Sequence, residues 1–199
     1  MLLSQLQLTV LEEFLGDYTG SFTGRYIARK RSLNQKSVSN TLNKLEDEGF
    51  LKNKTVGKNK EFYINLDNLE SVKNFIVAAE HLRTANFLKK HPAVKEIILK
   101  TKQAFNGIVI ILGSYAKGTQ KKDSDLDVFV VGSFNKSMVE KVSDMYNLQV
   151  SVKNYPASAL KRALRKKDIL LTEIIKRHII ISGAEEFVNV VMRDYYGKD

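Results

Sequence analysis

Two aspartates, Asp125 and Asp127, stand one residue apart at the head of the apolar run Leu126–Val131. Strand periodicity turns both side chains to one face. Paired carboxylates on an otherwise apolar strand repel each other and lose hydration. A divalent cation relieves both penalties, and Mg²⁺ favours one or two carboxylates together with substrate phosphates. Upstream, Gly113-Ser114 closes a second apolar run, Ile108–Leu112, and ten residues separate Ser114 from Asp125. Gly113 and Gly118 have the spacing of a Walker loop. That loop needs Lys and Ser/Thr directly after its second glycine. Here Thr119-Gln120 follow Gly118 and Lys117 precedes it, so the phosphate-binding loop is excluded. The arrangement suits the holding of a metal–triphosphate complex by two carboxylates beside a Gly-Ser turn; the alternative is two idle acids at a solvent-exposed strand entrance.

Gly113-Ser114, ten residues, then Asp125-Leu126-Asp127 resembles the signature of the DNA polymerase β-type nucleotidyltransferase superfamily. The fuller string Gly-Ser-Tyr-Ala-Lys-Gly with Ser-Asp-Leu-Asp is similar to its small members, the minimal nucleotidyltransferases. The resemblance implies that Asp125 and Asp127 are catalytic and bind Mg²⁺ or Mn²⁺. It implies too that Gly113 and Ser114, with Lys117, contact a nucleoside triphosphate. The mechanism implied is two-metal nucleotidyl transfer, dominated by positioning and charge neutralisation. Acceptors in the family are proteins or RNA ends, and some members serve as antitoxins.

The elements that must position these residues follow from periodicity. Ala93–Ala104 reads as a helix, Gly107–Leu112 as a buried strand, Lys136–Met145 as a helix and Asn147–Val152 as the next strand. Active members of the resembled family carry a third carboxylate on such a later strand. This one has none; Gln149 and Ser151 share the face where it belongs, and Asp144, Asp168 and Glu173 lie on helical sequence. Two readings follow. One is a transferase acting on a protein or RNA acceptor. The other is a transcriptional regulator whose transferase fold is catalytically degenerate, a nucleotide sensor or antitoxin-like protein. From Ser158 the chain reads as helical to Gly183, with a short helix beyond. Lys161, Arg162, Arg165, Lys166 and Lys167 form a basic cluster, either a groove wall for phosphates or a solvated helix face. His178 reads as structural.

The first third has a different grammar. Ser4-x-x-Gln7 has the form of a capping box before the apolar stripe Leu6, Val10 and Phe14, and Gly16 ends that helix. A second helix is expected over Thr23–Lys30, with Tyr26 and Ile27 facing inward. In Gln35–Glu48, Val38, Leu42 and Leu45 repeat at helical spacing, with Gly49 at the C-cap. The outward face presents Gln35, Lys36, Ser37, Ser39, Asn40, Asn43 and Lys44, short hydrogen bonders and lysines suited to base edges and phosphates. Alternation on both sides of Gly57-Lys58-Asn59 predicts a β-hairpin. Three helices and a hairpin resemble the winged helix-turn-helix family over residues 4–66. That implies a double-stranded DNA partner, Gln35–Glu48 as recognition helix and Lys52–Lys60, with Lys58 and Lys60, as wing. Charge agrees: Tyr18 to Lys60 holds ten Lys/Arg against three acids, within a net +10 for the 199 residues.

Asp67 to His91 reads as one long helix, capped by Asp67, that links the two parts or pairs with a copy of itself, so a homodimer is expected. His81 and His91 have no partner at metal-ligand spacing. The layout is residues 1–66, a winged helix-turn-helix; 67–90, a linking or dimerising helix; and 91–199, a nucleotidyltransferase-like domain with C-terminal helices. The fold class is α+β, with a mixed sheet flanked by helices in the second part. The absence of cysteine excludes disulfides and thiolate metal sites. The apolar N-terminus lacks a basic region and is broken by Glu12 and Glu13, so a secretory signal is not expected. No apolar run reaches the roughly 20 residues of a membrane span. A cytoplasmic protein with no membrane partner is the expectation.

Overall fold

A computed structural model describes residues 4–198. The chain separates into two compact units, one reaching Ala79 and the other covering Glu80–Lys198.

In the first unit, helix α1 (Gln5–Leu15) begins with the capping box, Ser4 Oγ accepting from the Gln7 amide while Gln7 Oε1 accepts from the Ser4 amide. Gly16 closes it. A short strand β1 (Ser21–Thr23) leads into α2 (Gly24–Arg31), whose first turn is capped by Thr23. Helix α3 (Gln35–Asp47) is capped by Asn34 and ends at Glu48, with Gly49 following at φ +81°. The hairpin β2 (Leu51–Val56) and β3 (Asn59–Ile64) then forms, and β1 joins it as a third strand on the far side of β3. Phe14, Ile27, Val38, Leu42 and Leu45 are all fully buried, which closes the three helices over one core. Tyr26 does not face inward. The residue is 36% exposed, and its ring stacks on Phe22, centroids 5.6 Å apart, with the Lys30 amine over its face.

A 3₁₀ turn at Leu66–Asn68 precedes α4 (Leu69–Lys90). Asn65 caps the turn, and the Asp67 carboxylate pairs with Lys52 on the hairpin. Val72, Ile76 and Ala79 are buried, while His81 and Leu82 are exposed. His91 ends the helix, so the continuous reading to that residue holds to within one position.

The second unit is built on α5 (Pro92–Thr101), β4 (Phe105–Ile111), α6 (Gly113–Lys117), β5 (Leu126–Phe134), α7 (Lys136–Tyr146), β6 (Val150–Tyr155), α8 (Ala157–Arg165), α9 (Ile169–Lys176), β7 (Ile179–Ser182) and α10 (Ala184–Asp194). Pro92 opens α5, where its missing N–H costs nothing. The four strands run in the order β6-β5-β4-β7; β5 and β6 are parallel and the other pairs antiparallel, a mixed sheet. One sheet face, with Val109, Ile111, Leu126, Val128 and Val130, packs on Ile97, Ile98 and Val142 from α5 and α7. The opposite face of β5 carries Asp127, Phe129 and Val131, and α8 packs against this strand.

The stretch from Ser158 to Gly183 is not wholly helical. Ile179–Ser182 is a strand that pairs antiparallel with β4. Its local pattern of consecutive isoleucines is equally a buried strand, and pairing with a central strand decides between them.

Candidate active site

Residues Asp125 and Asp127 mark the entry to β5. Leu126 and Val128 point into the core at 0% and 1% exposure, so the intervening Asp127 lies on the other face, half-buried, while Asp125 stands just outside the strand and is exposed. Among the described residues neither carboxylate has a hydrogen-bonding or ion-pair partner. Two unpaired acids at the end of a buried strand are an open demand for cationic charge.

The Gly-Ser turn meets them directly. Strand β4 runs antiparallel to β5, and the last ladder bond, Leu112 N–H to the Asp127 carbonyl at 3.0 Å, delivers Gly113 beside the Asp127 side chain. Gly113 has φ +68°, and a Cβ built there would stand 2.1 Å from Asp127 Oδ2. Only glycine permits this approach, both because of its backbone conformation and because the carboxylate occupies the space of a side chain. Ser114 follows, half-buried in the first turn of α6, and Gly118 closes the helix in the left-handed conformation. Thus Gly113, Ser114 and Asp127 are contiguous. Lys117 projects from the same short helix, its Nζ 3.9 Å from Glu173 Oε2 on α9. Both side chains are largely exposed, so this ion pair is weak.

Parallel register identifies what stands where the resemblance leads one to expect a third acid. Asp127 is paired with Ser151, and the two side chains share a face. Gln149 precedes the strand, its carbonyl accepting the Leu126 N–H at 2.8 Å. The other acids are elsewhere. Asp144 lies on α7, the helix whose Val142 packs on the sheet face opposite Asp127. Asp168 is committed to capping α9, accepting from the Leu170 and Leu171 amides. Among the described residues no cluster of three His, Asp or Glu has metal-binding geometry. The donor set fits a Mg²⁺ ion that takes its remaining ligands from phosphate and water rather than one caged by protein alone.

In the first unit, Gln35, Lys36, Ser37, Asn40, Asn43 and Lys44 are exposed along α3, and Ser39 is half-buried. Lys58 lies at the exposed hairpin tip. Lys60 reaches back to α3, donating to Glu46 Oε2 at 2.8 Å and Asn43 Oδ1 at 3.2 Å. That contact holds the Glu46 carboxyl below its usual range, through Lys60 first and then Asn53, against a smaller opposing effect of burial. Hairpin and helix are therefore joined by side chains, and Asn43 and Lys60 are engaged with each other.

Buried ionic groups escaped the reading of the sequence. Glu13, with its side chain 2% exposed, accepts from Lys30 Nζ at 2.6 Å and Arg31 Nε at 2.5 Å. In the second unit His178 Nδ1–H donates to the Ile174 carbonyl at 2.8 Å, and Nε2 lies 3.0 Å from Glu80 Oε1, both side chains fully buried. Arg83 completes the group, 2.5 Å from Glu80 Oε2. His178 is thus structural, as its apolar setting implies. His91 is a packing residue, stacked near Phe87 and edge-on to Tyr115; burial, and then the Lys90 charge, depress its basicity.

One comparison with known proteins finds a match within the second unit. Residues 92–189 match the family model of the nucleotidyltransferase domain, a match that covers both carboxylates and the Gly-Ser turn. At family level this supports nucleotidyl transfer and a nucleoside triphosphate substrate. No curated protein and no solved structure matches the chain. No helix among the described residues is long and apolar enough to cross a membrane.

Proposed function

We propose, from the nucleotidyltransferase family of residues 92–189, that the protein binds a Mg²⁺–nucleoside triphosphate at Asp125, Asp127 and the Gly113-Ser114 turn and transfers a nucleotidyl group to an acceptor. The observation that carries this reading is the seating of Asp127 Oδ2 against the Gly113 backbone, which makes the carboxylate and the turn one surface. Asp125 and Asp127 would hold the ion, Mg²⁺ or Mn²⁺, which when bound neutralises charge on the triphosphate. Gly113 leaves the backbone open to close approach by phosphate, Ser114 supplies a hydroxyl beside it, and Lys117 exchanges Glu173 for a phosphate oxygen. Titration calorimetry with Mg²⁺ and each nucleoside triphosphate tests this. Binding is expected in the native protein and not in Asp125→Asn/Asp127→Asn; equal binding by both refutes the site.

Ser151 favours a second reading of the same site. A serine hydroxyl beside Asp127 does not take up the acceptor's proton as a carboxylate does, so the domain would bind nucleotide without turnover and act as a sensor in a regulator or antitoxin-like protein. Transfer of label from α-labelled nucleotides to cellular proteins or RNA separates the readings: transfer that requires Asp125 and Asp127 supports the enzyme, and binding without transfer supports the sensor.

For the first unit the proposal is a winged helix-turn-helix that reads double-stranded DNA. Support comes from the exposed polar and basic face of α3 and its side-chain link to the hairpin. Residues 1–66 would be the reader, α4 a link through which two copies dimerise on a palindromic site, and 91–199 the transferase domain. A mobility shift that falls steeply with salt is expected, weakened by Lys36→Glu/Lys44→Glu. A shift unchanged by that variant refutes the reader.

A further inference from the structure

Resting on the nucleotidyltransferase reading, we propose that the acceptor is a single-stranded polynucleotide, guided to Asp127 along the edge strand β6 and anchored in a basic groove at the end of that strand. Strand β6 is an edge strand, and its parallel register with β5 places three pairs in line on one sheet face: Asp127 with Ser151, Phe129 with Lys153, and Val131 with Tyr155. Four residue steps along the strand separate the first pair from the last, about 13 Å at the usual rise. Along this line Lys153 is exposed, and the Tyr155 ring packs at 5.2 Å from Phe129.

The line ends in a groove of 470 Å³ walled by Tyr155, Arg162, Lys166, Lys167 and the exposed Ile169. Its charge is not consumed internally. Among the described residues no acid pairs with Lys153, Arg162 or Lys166. The one acid lining the groove, Asp168, caps α9 and stands against three cations, Arg162, Lys166 and Lys167. Asp194, the other acid near the cluster, is held by Arg165 and Arg193. Lys167 adopts φ +51°, a conformation that a side chain disfavours, and its amine lies 5.5 Å from the Tyr195 ring centre. Cations beside a tyrosine ring offer phosphate contacts and a surface on which an unpaired base can stack, with the exposed isoleucine adding apolar contact, which is how single strands are held without sequence readout. A solvated helix face needs neither the groove nor the alignment with Asp127. An acidic protein acceptor would use the cations alone.

The test is fluorescence anisotropy of labelled 12-nucleotide RNA and DNA strands against the full-length protein carrying Lys36→Glu/Lys44→Glu, which removes the proposed duplex-binding charge. Both strands are run over a range of salt; a preference between them reports the sugar. Arg162→Glu/Lys166→Glu is expected to weaken binding at least tenfold and to lower the salt slope by about 1.4, the share of two phosphate contacts on a single strand. Lys153→Glu weakens it less. Arg162→Gln/Lys166→Gln guards against misfolding and should retain the native circular dichroism while losing affinity. Asp125→Asn/Asp127→Asn must leave strand binding intact, so loss of nucleotide binding there with strand binding preserved separates the track from the metal site. Strand binding unchanged by Arg162→Glu/Lys166→Glu overturns the proposal. So does the absence of binding by either strand, with label transferred to a protein and lost in the same variant.

Discussion

Gly113 and Gly118 make a controlled pair for the contact on which the proposed site depends. Both adopt φ +68°; Gly113 opens the five-residue helix α6 and Gly118 caps its end. Alanine at either position forces a left-handed conformation on a residue with a Cβ, at a cost of about 1–2 kcal/mol. There the likeness ends. A Cβ at Gly118 meets no atom within 4 Å, whereas at Gly113 it lies 2.1 Å from Asp127 Oδ2, 3.1 Å from Cγ and 3.3 Å from Cβ. The carboxylate end of Asp127 can rotate away, but its Cγ and Cβ also crowd, so the strand entrance must shift with it. Overpacking of this kind adds about 1–3 kcal/mol. Gly118→Ala should therefore lose about 1–2 kcal/mol in urea unfolding and keep Mg²⁺–nucleotide binding. Gly113→Ala should lose about 2–5 kcal/mol and, with Asp127 displaced, at least tenfold in nucleotide affinity by calorimetry. Asp127→Ala in the Gly113→Ala background should recover part of the stability and none of the binding, a coupling expected of atoms in contact. Equal losses of stability in the two single variants, with binding retained in both, would refute the argument that the turn and the carboxylate form one surface.

Three further outcomes follow from the buried charges. Asp194 is held below the usual carboxylate range by Arg193 and then Arg165, against the opposing effect of burial, so its contribution is present above about pH 3.9 and is lost as pH falls through its lower folded value; Asp194→Asn should flatten that acid limb in a pH series of thermal melts. Lys30 is raised chiefly by the Glu13 hydrogen bond, against desolvation, so its contribution holds below about pH 10.4 and fades as pH climbs through the higher folded value; Glu13→Gln should weaken that alkaline transition, and an unchanged limb would exclude the pair as its source. Glu80→Ala leaves His178 Nε2 and Arg83 facing each other without an anion, at a cost of about 3–5 kcal/mol in urea unfolding; a loss under 1 kcal/mol would mean that water replaces the carboxylate.

Legibility in the sequence tracked how local each decision is. The capping box, the α3 stripe and the hairpin turn are set by neighbours within a few residues, and all three stand where the spacing puts them. β1 has only Ser21-Phe22-Thr23 between Gly20 and a helix cap, and it exists because Phe22 pairs with Phe62, forty residues on. β7 owes its form in the same way to β4. The β6 boundary moved for a local reason that periodicity cannot see: Asn147 takes the left-handed conformation that ends α7, which removes Asn147 and Gln149 from the strand, while pairing with β5 recruits Lys153 to Tyr155 instead. Long-range pairing is thus what the linear pattern lacks, and it decides the chemistry as well as the fold.

The missing third acid is the sharpest instance. The linear pattern states only that the strand after α7 has no carboxylate. Register adds that Ser151 is the residue beside Asp127, which turns an absence into a testable position. If the site once required an anion there, Ser151→Asp restores it on the correct face of a half-buried edge strand with room toward solvent. Placed next to Asp127, a lone aspartate adds repulsion, so Ser151→Asp should lose about 1 kcal/mol of stability without divalent cation and regain it with Mg²⁺. Metal-dependent recovery in melting experiments, absent from Ser151→Asn and from Ser151→Asp/Asp127→Asn, is the expected result. Equal destabilisation with and without Mg²⁺ would show that the face beside Asp127 does not hold a cation, and the two-carboxylate reading would fall with it. Recovery accompanied by faster label transfer would mean that the native protein stands one side chain from full activity.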